Sequence, residues 1–327
     1  MFPWNPQFGY QRIPPGSDSG FNSCHEHPMS RTSKALFLLY LLVGYGAFQA
    51  QEPYGELKAM VAQFATLNAE EAVSMSDSLA GVLETLLSEE GAMAGLPTST
   101  DFMASVASSD RRLRVYTWNW AHTDRTSGYA GLVAFQAAAD EDIRFTRLLD
   151  FNSADRPDDQ QSYREADWHG ALYYAMVPDA VDKDTWLLLG WDDADAQVNR
   201  KIIEPLQCRP KGIRFGAPVL QAEWGMQKRY VLEYADAVQV SLRYQEAERG
   251  KQSHPKRIVF DHLAPQEPHQ AGITAFYGPD MTFDAFLPGK KGGAPWILQP
   301  NAPVSTTLPD DRPFVDPRPR NRSNKRR

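Results

Sequence analysis

From Arg112 onward the chain is built of short runs rich in Tyr, Trp, Phe, Val and Ile, separated by Gly, Pro, Asp and Asn. Aromatic and β-branched side chains suit a pleated, half-buried surface, and the turn formers between them force frequent reversals of direction. Val238, Val240, Leu242 and Tyr244 alternate with Gln239, Ser241, Arg243 and Gln245. One face is apolar and the other wet, as in a half-buried antiparallel strand. Its expected partner is Arg229–Tyr234, joined to it through a tight Ala235-Asp236-Ala237 turn.

Similar runs are Arg112–Ala121, Tyr129–Ala137, Ile143–Phe151, Ala171–Val177, Thr185–Trp191, Lys201–Leu206, Ile213–Leu220, Arg257–His262, Thr274–Tyr277, Phe283–Leu287 and Trp296–Leu298. About a dozen strands with short connections predict a mainly β fold, an antiparallel meander, because neighbours joined by tight turns pair antiparallel. A sandwich, an incomplete propeller and a wide barrel all satisfy this pattern. The longest break, Asn152 to Arg164, is acidic and Gln-rich and reads as an exposed loop.

A short helical segment precedes the strands. Leu57, Met60, Val61, Phe64 and Leu67 recur at helical spacing, and Val82, Leu83, Leu86 and Leu87 repeat the pattern after Leu79. Ser76 or Ser78 is the expected cap of the second helix and Gly91 its end. Leu96-Pro97 and the Ser/Thr cluster after it read as a linker. The predicted layout is therefore a helical segment over 51–98, a β-rich domain over 99–299, and a Pro/Arg-rich tail over 300–327. Between Asp310 and Arg327 the tail holds seven basic and three acidic residues, a local charge of about +4. A Pro-rich stretch without apolar period cannot build a core, so disorder is expected there, with contact to an anionic lipid or polymer as the sharper reading.

The beginning of the chain carries an address. Arg31 and Lys34 precede an apolar centre from Ala35 to Val43, with small residues beyond, which is the layout of a secretory signal peptide. The apolar run is too short to cross a hydrocarbon core of about 30 Å, which takes roughly 20 residues. A Sec-type signal over 29–50 is expected, starting at Met29, with the mature protein periplasmic or secreted and without a transmembrane segment. Residues 1–28 then read as a leader upstream of the native start. Within them the cluster Cys24-His25-Glu26-His27 packs three possible metal donors, soft and imidazole, into four residues, but in such a stretch it reads more simply as part of that leader.

Residues 51–327 carry 31 basic and 39 acidic side chains, a charge near −8. This argues against a general nucleic-acid binder, which needs a basic face for phosphates. Cys208 is the one cysteine after the signal, so an internal disulfide is excluded and the core must hold the fold. An unknown envelope protein or polymer is the expected partner, and no cofactor is expected.

Several segments, in order, resemble a family of uncharacterised secreted or periplasmic proteins of Bacteroidota. They are Leu113-Arg-Val-Tyr-Thr-Trp-Asn119, Leu188-Leu-Gly-Trp-Asp192, Asn199-Arg-Lys-Ile-Ile-Glu204, Phe215-Gly-Ala-Pro218, Ser241-Leu-Arg-Tyr244, Ile258-Val-Phe-Asp-His-Leu-Ala-Pro265, Tyr277-Gly-Pro-Asp280 and Phe283-Asp-Ala-Phe286. They span roughly residues 110–298. The resemblance implies an extracytoplasmic location and a strand-rich architecture, and it brings no activity and no catalytic residues. The Arg-rich tail departs from the family's usual ending.

The residues that could carry chemistry are few. Asp261 and His262, with Asp280 and Asp284, are the catalytic candidates, since a carboxylate can orient an imidazole for acid/base work. The competing reading is turn capping by the same side chains. The Gly-x-Ser-x-Gly nucleophile motif is absent from the sequence. Asp193, Asp195, Gln197, Asn199 and Glu204 fall at calcium-loop spacings, with Asp193, Asp195 and Glu204 the calcium candidates, but Val198 stands where glycine is needed and a hairpin turn competes. Trp118 and Trp120 share a strand face and are the ligand-binding candidates, as stacking platforms, against the alternative of core packing. Gly289-Lys-Lys-Gly-Gly293 lacks the Ser or Thr of a phosphate loop and reads as a turn. The expectation is thus a β-rich binding or structural protein, with a hydrolase of an extracytoplasmic polymer as the alternative.

Overall fold

The computed structural model describes residues 52–96, 100, 103–122, 126–150, 155–248, 254–289 and 295–303. The signal and leader segments and the tail beyond Pro303 lie outside the described residues, as do Lys290–Gly293 of the glycine-lysine turn. All described residues but Glu52 belong to one unit, Pro53–Arg327.

Helix α1 (Glu52–Gln63) and helix α2 (Ala69–Leu87) are followed by the single turn α3 (Ala92–Gly95). The second helix begins ahead of the expected serine cap. Asn68 Oδ1 accepts from the Glu71 N–H at 3.0 Å, and the Glu71 carboxylate accepts from the Asn68 N–H at 3.0 Å. This reciprocal box satisfies two donors that the first turn leaves open. Ser76 is instead buried inside the helix, where its Oγ accepts from Trp118 Nε1 at 3.0 Å.

Among the described residues fifteen strands form three sheets. The first sheet runs β1 (Ala104–Ala107), β2 (Leu113–Ala121), β3 (Ser127–Phe135) and β4 (Arg144–Asp150), a plain antiparallel meander. The second has the order β11 (Tyr230–Ala235), β7 (Val198–Arg209), β6 (Thr185–Asp192) and β5 (Leu172–Pro178), and β8 (Gly212–Phe215) also pairs with β7. In the third, β10 (Gly225–Gln227), β9 (Leu220–Ala222), β15 (Trp296–Gln299), β14 (Tyr277–Leu287), β13 (Arg257–Pro265) and β12 (Leu242–Gln245) are neighbours. All these pairings are antiparallel except β15 with β9, where a late strand returns beside an early one. The fold is mainly β and open at its edges, so the stacked-sheet form of the expected meander is the one adopted and a closed barrel is not.

The layers follow from strand alternation. In β2, Tyr116, Trp118 and Trp120 pack with Leu57, Phe64, Leu79 and Leu83 of the helices, while Leu113 and Val115 face the second sheet. Trp186, Leu188, Ile202 and Leu206 of the second sheet meet them there. Leu187, Leu189, Ile203 and Leu232 point the other way, onto Ile258, Phe260, Phe286 and Trp296 of the third sheet. The order is helices, sheet one, sheet two, sheet three. Strands buried on both faces have no polar side to show, which is why β3 and most of β6 read as continuous apolar runs.

Three expectations about strands need correction. Tyr230–Ala235 does not form a hairpin with the strand after it: β11 pairs with β7 in the second sheet, and β12 pairs with β13 in the third. The Ala235–Ser241 connection therefore carries the chain between layers, and Val238 and Val240 lie outside any strand. The run Ile213–Leu220 is likewise two strands, broken at Gly216-Ala217-Pro218, and Thr274–Phe276 is a 3-10 turn before β14 starts. The described part of the 152–164 break is mostly exposed, as expected, and is tied to the sheets at several points. Arg229 donates to the carbonyls of Asp158 and Gln161, and Tyr163 is bridged to Phe215.

Candidate functional site at the rim of the third sheet

Strands β13 and β14 pair regularly from Ile258 to Asp261, and the register then shifts. Leu263 opposes Pro279, so the single residue His262 faces three, Asp280, Met281 and Thr282, two more than regular pairing allows. Asp280 Oδ1 accepts from the N–H and hydroxyl of Thr282, at 2.9 and 2.7 Å, and closes this bulge into a local turn. Met281 sits at its tip with φ +73° and is almost fully exposed. Bulges of this kind re-aim the side chains beside them.

His262 shares strand parity with Ile258 and Phe260, which face the second sheet, and Asp284 shares parity with Phe286. Nδ1 of His262 donates to Asp284 Oδ2 at 2.8 Å. The carboxylate is buried, the imidazole is half exposed, and Asp284 Oδ1 accepts from the Asn301 N–H at 3.0 Å. The Asp284 hydrogen bond raises the His262 pKa against the opposing effect of partial burial, and the charges of Asp280 and Glu223 add to the rise. The Thr282 bonds lower the Asp280 pKa. Asp261 is not part of this group: its Oδ2 accepts from the Ser241 N–H at 2.7 Å and extends the pairing of β12.

Glu223 and Trp224 form the two-residue tip of the β9–β10 hairpin, which Gly225 closes at φ +118°. Trp224 is 64% exposed and stacks on Tyr230 with ring centroids 5.9 Å apart and 18° between planes. Tyr230 in turn lies against Phe260 and Phe286, at 5.3 and 5.1 Å. The rim thus presents an aromatic ring with a supported back, an oriented imidazole, and the carboxylates of Glu223 and Asp280. Neither carboxylate has a salt bridge among the described residues. Such a surface can stack a ring or a planar cation and accept hydrogen bonds from its N–H or O–H groups. Strand periodicity gave no signal for Trp224; the mark it leaves is an indole at a turn tip beside glycine.

The other sequence candidates are placed elsewhere. Trp118 and Trp120 share a face as expected, but that face is covered by the helices: they are 2% and 4% exposed, and Trp120 stacks on Phe64. They are core residues and not an open platform. The calcium candidates are not brought together. Asp193 accepts from Ser127 and Tyr129, both at 2.7 Å; Asp195 caps the N–H groups of Gln197 and Val198; Asn199 bonds Asp236. Glu204 is fully buried, paired with Arg229 at 2.7 Å and accepting from Tyr173 Oη at 2.6 Å. Among the described residues no three acidic, His or Cys side chains converge as a metal cage.

The Glu204 cluster is the polar centre between sheets one and two. Burial opposes the Glu204 charge, yet His169, Arg229 and Tyr173 together hold its pKa below the ordinary value. His169 lies 3.7 Å from Glu204 with both ring nitrogens lacking hydrogen bonds. Burial pushes its pKa down to about 4 in spite of Glu204, and Arg229 and Arg200 add to the fall. At neutral pH the imidazole is therefore uncharged, and Arg229 is the cation paired with Glu204. Cys208 is buried and free, with its thiol pushed up to about 12 by burial, so it is inert rather than reactive.

The fold and rim define a layered, helix-covered β protein with an aromatic, acidic surface at one sheet end. Comparison with family models, curated proteins and solved structures finds no match. No helix among the described residues is long and apolar enough to cross a membrane.

Proposed function

We propose that the chain is an extracytoplasmic binding protein of the envelope, of the Bacteroidota family that residues 110–298 resemble, exported by the signal over 29–50. Its ligand surface is the Trp224 rim, and the observation that carries the reading is Trp224 itself. An indole 64% exposed to water, yet stacked on a ring anchored in the core, is rigid apolar area left for contact. Glu223, Asp280 and the free edge of His262 supply polar groups around it. The ligand is a polymer of the envelope that offers a ring or planar group carrying N–H or O–H donors.

A hydrolase is the second reading, favoured by the 2.8 Å His262–Asp284 pair. Against it, among the described residues no Ser, Thr or Cys side chain hydrogen-bonds to the imidazole, and Asp261 is engaged elsewhere. Co-sedimentation of the full-length chain with isolated cell-wall glycan, beside a release assay for new reducing ends, tests both. The binding reading expects at least a tenfold loss with Trp224→Ala and no release. Unchanged sedimentation of that variant would refute it, and release abolished by His262→Ala would establish the hydrolase.

A further inference from the structure

The described chain comes back to the rim just before it leaves the structure. The Asn301 N–H donates to Asp284, the carboxylate that orients His262, and the Ala302 N–H donates to Phe283 O at 2.7 Å. The Pro303 carbonyl then accepts from Arg257 at 2.9 Å. Beyond it stand 24 residues whose last sixteen include Arg312, Arg318, Arg320, Arg322, Lys325, Arg326 and Arg327. At roughly 3.3 Å per residue the fifteen residues from Pro303 to Arg318 span up to about 50 Å, more than enough to come back to a rim that Asn301 touches.

The charge of the rim is opposite to that of the tail. The charges felt by Tyr230 there come from Asp284, Asp159 and Glu223, and those felt by His262 from Asp284, Asp280 and Glu223. All are carboxylates. Guanidinium is the side-chain cation best matched to this surface, since it stacks flat on indole and donates several N–H bonds to carboxylates. Among the described residues several buried or half-buried acids meet bases of the same chain, Glu204 with Arg229, Asp192 and Glu233 with Arg200, and Asp182 with Arg209. Glu223 and Asp280 are left for a cation from outside the described residues.

We propose that the basic C-terminal segment, residues 312–327, occupies the Trp224 rim in cis, with an arginine stacked on the indole between Glu223 and Asp280. The inference rests on the reading of this rim as the ligand surface: the tail is its tethered competitor. A covalent tether makes the contact intramolecular, so a weak pairing holds the surface until an envelope ligand displaces it.

The test uses the full-length chain and acrylamide quenching of Trp224, isolated as the difference between wild type and Trp224→Phe. One variant carries R318Q, R320Q, R322Q, K325Q, R326Q and R327Q together. The expected result is a quenching constant at least twofold higher in that variant than in wild type at 50 mM salt. The difference should close at 500 mM salt, where exposed charges are screened. Equal quenching of the two proteins at low salt would overturn the inference. Protection that grows with protein concentration would also overturn it, because the tail would then come from another copy. Tail-dependent binding to phosphatidylglycerol vesicles without any effect on Trp224 would do so in favour of a lipid contact. Glycan binding that is lost in Trp224→Ala, while quenching ignores the tail, would leave the ligand surface standing and remove only its occupant.

Discussion

Burial of His169 should make acid destabilising at this one group. The imidazole is 7% exposed, has no hydrogen bond, and carries a pKa of about 4 in the folded chain against 6.5 when solvated. A base whose folded pKa is depressed binds more protons unfolded than folded, so stability falls as pH drops from the unfolded towards the folded value. At about 1.36 kcal/mol per pKa unit, integration gives a loss of about 2 kcal/mol between pH 7 and 5, and about 3 kcal/mol by pH 4. These losses are large beside a net stability of about 5–15 kcal/mol.

The total pH curve will not display this loss by itself, because two other groups act in the opposite sense. Asp192 has its pKa raised to about 6 by burial, which its Arg200 pairing only partly offsets, so the folded state takes up a proton there as pH falls below 6. His262, raised by Asp284, likewise binds protons more readily folded than unfolded. The measurement is therefore a difference: urea unfolding of wild type and His169→Gln from pH 7.5 to 4.5, with circular dichroism and tryptophan fluorescence required to coincide. The variant should gain about 2 kcal/mol relative to wild type between pH 7 and 5, whatever its stability at neutral pH. A stability difference independent of pH across that range would refute the burial argument, and His169→Leu guards against a new hydrogen bond made by Gln.

The Glu204–Arg229 pair is fully buried, so Glu204→Gln should cost about 3–5 kcal/mol by stranding the guanidinium, and Glu204→Gln with Arg229→Met should recover much of it, as read by thermal melts. A Cβ at Gly131 in β3 would lie 2.6 Å from the Tyr116 carbonyl oxygen, so Gly131→Ala should destabilise by about 1–3 kcal/mol, whereas Gly55→Ala in α1 meets open space and should stabilise by up to about 1 kcal/mol. Asn68→Ala removes the capping box of α2 and should cost about 1 kcal/mol in urea unfolding at pH 7. An unchanged midpoint for Asn68→Ala would mean that tertiary packing alone holds the helix start.

Strand texture was legible because it is written locally. Val, Ile, Tyr and Trp runs between turn formers mark β2 to β7 to within a few residues. Partner choice was not legible. Alternation says which side of a strand is apolar, but it does not say which sheet lies beneath, and the short Ala235–Ala237 link has the composition of a hairpin turn while serving as a passage between layers. Trp118 and Trp120 failed as a platform for the same reason: β2 is buried on both faces, and the helices that cover one of them stand about 20 to 60 residues earlier in the sequence. Asp284 and His262 could be picked out by residue type and nearness in sequence. The partners that complete the rim, Glu223, Trp224 and Tyr230, come from the β9–β10 hairpin and from β11, about 30 to 60 residues away in sequence, and meet it only where the second and third sheets pack.

The layering also decides where binding chemistry can reside. Sheets one and two are covered on their broad faces, so polar groups inside them must be satisfied by one another, and Arg229 with Glu204 or Arg200 with Asp192 and Glu233 do this. Such pairs stabilise a chosen arrangement and leave nothing for a ligand. Regular pairing in the third sheet breaks at the His262 bulge and the parallel β15–β9 junction, and its rim bears an exposed indole beside carboxylates that form no ion pair among the described residues. An exposed large aromatic ring is unfavourable in water by about 25 cal/mol for each Å² of apolar surface left open. A structure that buries nearly every other described tryptophan, yet supports this one from behind with Tyr230, Phe260 and Phe286, keeps that surface available for contact.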